Sequence, residues 1–424
     1  MQQIDIEHEA IRVDIPFRPT EERLPNGVQL VSLPMPNESL LRVDICFRGG
    51  TSVERIPLQA KFAINQNCGS RKYPPQVVAE KLNFCGTEIN AYCTPFHCRM
   101  TLVCLPRLLP PLLPVLFSLL DQPTYGRKRL RLAVATAKTD WLIARQKVEK
   151  ICNERLYSLL FPPSHPMARQ VEEAHFDQIK VEILREYQQH FLHAGEVTLF
   201  LTGKMEKDTL DLVRRTLGEQ AWGGKEPLPV TLPPMPIHPF TPREHTDHLS
   251  TPTVQSAIRM GFILPPLTHP DIPALRLANT ILGGYFGSRL MSNLREDKGF
   301  TYHVGSRIMN CPGGSLLVIG TEVGKEVTRE ALEQMHVEIE RLGEELVSEE
   351  ELDKVKNYLN GRACRQYEAH INFADQLINL HISGRTIDDL LHEHRRLNHT
   401  SSEEVRQVVR SYLNPHDAAT AIAC

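Results

Sequence analysis

Apolar residues in this chain gather into short runs separated by stretches with helical spacing. LLRVDICFRGG (40–50) and QSAIRMGFIL (255–264) read as strands, and so do EINAYCTPFHCRMTLVCL (88–105) and GSLLVIGTEV (314–323). A helical region containing a Gly-Ser turn follows the first strand of each half. PVLFSLLD (114–121) and EALEQMHVEIERLGEEL (330–346) then read as helices behind the second strand. Late in each half a long helix leads to a short final one. Ser348 with Glu351, and Thr400 with Glu403, have the spacing of capping boxes.

The pattern breaks once. Seven prolines (227, 229, 233, 234, 236, 239 and 242) fall within AWGGKEPLPVTLPPMPIHPFTP. Proline fixes φ and withholds a donor, so this stretch reads as an extended linker. Residues 1–222 and 247–424 are then two domains joined by 223–246. Identity between them is negligible, but their element order repeats, which points to duplication. The expected fold is α+β: two similar domains, each a mostly antiparallel sheet with helices packed on one face. Leu105 to Leu120 is the most apolar stretch, but Pro106, Pro110, Pro111 and Pro114 break it. It predicts a buried helix with prolines at its start, not a membrane span.

Composition narrows the class. The chain has 424 residues, 41% hydrophobic and 23% charged, with a formal net charge of −3. That suits a soluble multidomain protein and argues against a nucleic-acid-binding surface that dominates the molecule. Ten cysteines run from Cys46 to Cys424 without a C-x-x-C pair. Cys93, Cys98 and Cys104 are therefore expected as free, buried thiols. MQQIDIEHEAIRVDI resembles neither a secretory signal nor a transit peptide, so the expected location is the cytoplasm.

Residues 47–94, FRGGTSVERIPLQAKFAINQNCGSRKYPPQVVAEKLNFCGTEINAYCT, carry Gly49-Gly50-Thr51, Gly69-Ser70 and Gly86-Thr87-Glu88-Ile89-Asn90-Ala91-Tyr92 in that order. This resembles the zinc-site region of insulinase/pitrilysin peptidases. There a Gly-Gly-Thr strand end precedes a helix bearing His-x-x-Glu-His, and Gly-x-x-x-Asn-Ala follows. Two histidines four apart on one helical face grip zinc, and the glutamate takes a proton from zinc-bound water. Laid over this chain, the first histidine becomes Lys61, the glutamate Ile64 and the second histidine Asn65. The family's third ligand falls near Trp141. None of these can do the family's metal chemistry, so no metal or other cofactor is expected on this chain. His245/His248 and His392/His394 are read as solvated surface, because an i, i+2 pair does not face one ion on a helix.

ANTILGGYFGSRLMSNLREDKGFTYHVGS (278–306) is similar to the family's C-terminal motif. Ser288-Arg289-Leu290 leads into Arg295, Glu296, Gly299 and Tyr302. In active members that arginine and tyrosine reach across a clamshell to the zinc site, where a guanidinium and a phenol are suitable donors to an oxyanion. The resemblance also implies that Asn90, Ala91 and Tyr92 lie on an edge strand able to pair with extended peptide, or one that only completes the sheet.

The chain is thus expected to be a non-catalytic subunit, half of a clamshell and inactive alone. Its partner would be a homologous subunit carrying His-x-x-Glu-His and the zinc, and peptides would be enclosed between them. The alternatives are a scaffold and a peptide-binding homologue without a part in hydrolysis, the latter a homodimer when alone. Gly283-Gly284-Tyr285-Phe286-Gly287 is shorter than the loop of the presequence-processing branch, which weighs against that substrate.

Overall fold

The computed structural model describes residues 13–424 apart from positions 16, 65–68, 250–252 and 369. The described residues group into two compact units. One consists of Phe17–Lys150 and Phe161–Pro234, and the other chiefly of Ile151–Leu160 and Met235–Cys424. The division after Pro234 falls inside the proline-rich stretch, where no regular element forms.

The first unit holds strands β1 (Thr20–Arg23), β2 (Gln29–Pro34), β3 (Leu41–Arg48), β4 (Ile89–Cys93), β5 (His97–Cys104) and β6 (Val197–Gly203). They form one sheet in the order β1-β2-β6-β3-β5-β4. Its helices are α1 (Gln59–Ala63), α2 (Pro75–Phe84), α3 (Leu109–Asp121), α4 (Arg127–Ala144), α6 (Glu173–Gln178), α7 (Val181–Phe191) and α8 (Thr209–Val213). Between α4 and α6 comes α5 (Val148–Leu160).

Period-two alternation builds the sheet. Leu41, Val43, Ile45 and Phe47 of β3 enter one core with Cys98, Met100 and Leu102 of β5. On the other face Arg42 donates to both oxygens of the buried Asp44 (2.8 and 3.0 Å), and Thr101 adds a third bond (2.7 Å). A buried carboxylate so supplied meets the requirement that buried charge be paired. α3 packs Leu109, Leu112, Leu113, Leu116 and Leu120 into the same core, each worth about 1.5–3 kcal/mol of burial. Pro110 and Pro111 sit in its first turn and Pro114 lies within it.

The second unit contains β7 (Glu244–Asp247), β8 (Gln255–Leu264), α9 (Ile272–Asn279), β9 (Val304–Cys311), β10 (Gly314–Gly324), α10 (Thr328–Glu344), α11 (Glu349–Glu368), α12 (His370–Ile382), α13 (Ile387–His399), α14 (Ser402–Tyr412) and β11 (Ala419–Ala423). Sheet order is β7-β11-β8-β10-β9. Ile258, Met260 and Phe262 face a core shared with α9, α10 and α14. The opposite face receives residues 151–160. Cys152 donates to the carbonyls of Ala257 (3.4 Å) and Ala421 (3.1 Å), and Arg155 grips Asp247 with two 2.7 Å bonds. Gly261 leaves room for Leu160, whose Cδ1 would lie 2.9 Å from an added Cβ.

The sheets share one topology. The late strand, β6 or β11, runs parallel to β2 or β7 and antiparallel to β3 or β8, and a further antiparallel pair completes each sheet. The duplicated α+β fold is therefore present, with β1 as an addition to the first sheet.

Two sequence expectations need correction. Cys93 and Cys98 are not free thiols. They are cross-strand partners in the β4–β5 hairpin, with Cα atoms 4.2 Å apart, and form a disulfide. Cys104 is free and buried, and burial pushes its thiol up to about 11. The capping box expected at Thr400/Glu403 lies one residue on, at Ser401/Glu404, and another unexpected one is Thr386/Asp389. Ser348 does accept from the Glu351 backbone at 3.2 Å. Among the described residues no helix is long and apolar enough to cross a membrane.

Candidate functional site

β3 ends in Gly49-Gly50, and both glycines have positive φ (111° and 53°). A Cβ on Gly50 would lie 2.1 Å from the Thr94 carbonyl oxygen, so only glycine fits. Tyr187 donates to the Gly50 carbonyl at 2.8 Å. The chain then turns through Glu54, whose buried carboxylate accepts from the Ala60 backbone at 3.0 Å in the first turn of α1. Burial raises Glu54 to about 7, against the lowering effects of the α1 amide and Arg169. Arg169 fixes the segment by donating to the carbonyls of Glu54 (2.8 Å) and Thr51 (3.3 Å). Leu58, just before α1, adopts the left-handed region at φ 77°, a conformation leucine holds only under constraint.

Lys61 points outward from α1 and is exposed, whereas Ile64 is buried in the core. Asn65 lies outside the described residues. Trp141, on α4, packs its ring 5.6 Å from Phe176 and carries the Arg145 guanidinium 5.0 Å from its ring centre. An exposed ammonium, a buried alkyl group and a packed indole cannot supply the N, O or S donors zinc requires. Among the described residues no cluster of three His, Cys, Asp or Glu is arranged around a common point. α1 stands where the resemblance expects a metal-site helix, and the side chains there do not fit the metal.

Asn90, Ala91 and Tyr92 lie on β4, the last strand of its sheet, which pairs only with β5 among the described strands. Ala91 packs toward the core, and Asn90 donates to Glu88 at 2.9 Å. Tyr92 carries the Arg99 guanidinium 4.6 Å from its ring centre. The hairpin turn is held by His97, whose Nδ1 lies 2.9 Å from the Thr94 hydroxyl while its backbone N–H donates to that oxygen at 3.0 Å.

In the second unit, Met291–Asp297 winds as a π-helix, a form found often at functional sites. It carries Arg295. Gly299, at φ 65°, reverses the chain behind it. Thr301 pins the returning loop by donating to the Glu322 carbonyl at 2.7 Å. Tyr302 is thereby brought beside Arg295: the guanidinium carbon lies 4.8 Å from the Tyr302 ring centre. Phe286 stands 4.7 Å from the same guanidinium, which therefore has two aromatic rings beside it. Sequence reasoning missed Phe286, whose only signal was an apolar residue in a glycine-rich turn. Tyr302 is 85% exposed. Among the described residues neither Arg295 nor the Tyr302 hydroxyl has a hydrogen-bond or ion-pair partner, whereas Arg289 is held by both oxygens of Glu351 (3.0 and 2.7 Å).

The histidine pairs are not uniformly solvated. His392 is exposed. The next residue, Glu393, is buried between Arg385 and Arg276, and His394 bonds the Tyr367 hydroxyl at 3.0 Å. Residues two apart on a helix face different surroundings, so α13 sends His392 and His394 opposite ways. Burial lowers His394 to about 4. His245 lies 3.5 Å from Asp247, and His248 3.1 Å from the Cys424 sulfur.

The profile of the Peptidase M16 inactive domain matches residues 178–359. Over those residues, somewhat less than half of its length, the chain is similar to the M16 peptidase family. A Bacillus subtilis relative, the uncharacterized zinc protease YmxG, is 24% identical over 247 residues. That match covers 56% of this chain and 56% of YmxG, so it spans little more than half of either. Among solved structures, a peptidase M16 inactive domain from Pseudomonas fluorescens superposes with a TM-score of 0.84 at 19% identity. It covers 96% of this chain and 98% of that one. A protease from Helicobacter pylori gives 0.83 at 16% identity, covering 97% and 100%. At such identities the superpositions show the two-domain M16 fold. The matched profile is described as that of an inactive domain, and Lys61, Ile64 and Trp141 are not zinc donors.

Proposed function

We propose that this chain is the non-catalytic half of a two-subunit zinc peptidase of the M16 type, binding peptides and lending Arg295 and Tyr302 to a homologous partner that carries His-x-x-Glu-His. One observation carries the reading: the guanidinium and phenol stand together on an aromatic stack with their donors unengaged. A peptide carbonyl under attack develops negative charge on oxygen, and fixed N–H and O–H donors stabilise it. Arg295 is held against Phe286 and Tyr302, so little reorganisation remains when the oxyanion forms. The zinc would belong to the partner.

The open edge of β4 supports the peptide-binding part, because an unpaired strand edge accepts an extended chain through backbone bonds with little side-chain preference. That part would survive in a homologue that only binds. The test is coexpression with a zinc-bearing homologue, followed by cleavage of a quenched fluorescent peptide. Arg295→Ala and Tyr302→Phe should each lower turnover about 10²–10³-fold while the complex still assembles. Full activity in both variants would refute the assistance. Retained peptide binding without any cleaving partner would leave the binding role alone.

A further inference from the structure

The second unit contains a cleft that the peptidase reading does not use. It has a volume of about 250 Å³ and lies between the loop that precedes α9 and helix α13. Leu267, Ile272 and Pro273 form an apolar wall, and Arg385, His392 and Arg396 form the polar one. Arg385 is 7% exposed. It donates one terminal nitrogen to Glu393, and among the described residues no second acceptor meets it.

Glu393 is shared with Arg276, so the two guanidiniums divide one carboxylate between them, and the Asp389 carboxylate attracts Arg385 without a hydrogen bond to it. The other acidic group in the cleft, Asp389, is engaged: its Oδ2 accepts from the Thr386 amide and hydroxyl, both at 2.8 Å. Arg396 pairs with Glu404 at 3.2 Å across the surface.

We propose that this cleft binds a small carboxylate bearing a short aliphatic group. A buried guanidinium with idle N–H groups carries a desolvation cost that an acceptor would relieve. The planar guanidinium fork matches a carboxylate, and the aliphatic group would lie against Leu267, Ile272 and Pro273. The cleft is at the small end of ligand sites, which run to ~300–1,000 Å³, so the ligand has one short side chain. Two sources share this chemistry: a free organic acid and the C-terminal carboxylate of a peptide.

Titration calorimetry on the full chain separates these cases. N-acetyl-leucine should bind saturably with a millimolar or tighter Kd, and N-acetyl-leucinamide about tenfold or more weakly. A leucine-terminated heptapeptide that binds tighter than N-acetyl-leucine, but not as its C-terminal amide, identifies a peptide terminus. Equal or weaker peptide binding identifies a free acid. Arg385→Gln should abolish binding but also disturbs Glu393. Leu267→Trp fills the cleft without touching the ion pairs and should weaken binding about tenfold at unchanged Tm. Equal affinity for acid and amide, no saturable binding, or undiminished binding by Leu267→Trp would each overturn the assignment.

Discussion

The edge hairpin makes the first unit sensitive to acid through one residue. His97 has Nδ1 on the Thr94 hydroxyl, and its Nε2 is buried without an acceptor. Burial, with the nearby Arg99 guanidinium as a second cause, lowers it from 6.5 to about 4. The unfolded chain therefore binds a proton near pH 6.5 that the folded chain refuses until about pH 4. The stabilisation is fully present above pH 6.5 and is lost as pH falls through that window. At ~1.36 kcal/mol per pH unit, the loss attributable to His97 reaches about 2 to 3 kcal/mol at pH 4.5. His97→Gln has no such proton, so its stability should fall less between pH 7.5 and 4.5 by about that amount. Urea unfolding followed by tryptophan fluorescence reads this unit alone, because Trp141 and Trp222 both lie within it. His165 and His193, also lowered by burial, contribute equally to both proteins and cancel in the comparison. Parallel pH profiles for wild type and His97→Gln would refute the argument.

Glu54 acts with the opposite sign. Its folded value is raised from 4.5 to about 7, so its stabilisation is present below pH 4.5 and lost as pH rises to 7. Glu54→Gln should remove a decline of roughly 3 kcal/mol over that window, measured by the same urea titrations; an unchanged slope would sink this reading. Gly50→Ala should cost more than about 3 kcal/mol or prevent folding, since positive φ adds to a backbone clash, and a midpoint near wild type would contradict it. Phe286→Ala removes one of the two rings beside Arg295 and, in the proposed two-subunit peptidase, should lower turnover about two- to fivefold, with no effect expected once Arg295 is already alanine.

The sequence alone determined which side chains stand at the expected metal positions and where the regular elements are interrupted. Strand runs and the proline-rich stretch are local signals, because side-chain alternation and a fixed φ act within a few residues. The replacement of metal donors by Lys61 and Ile64 is equally legible, since donor chemistry belongs to the residue type. β6 and β11 escaped the sequence reading because each inserts between strands distant in the chain. Residues 151–160 read as part of the first half yet bury Cys152 and Leu160 against β8 and β11. Only the tertiary structure placed Cys93 opposite Cys98, Phe286 beside Arg295 and Arg385 at the wall of a cleft. Those relationships rest on strand register, a π-helical turn and the packing of α13, which are set by long-range burial rather than by neighbours in sequence.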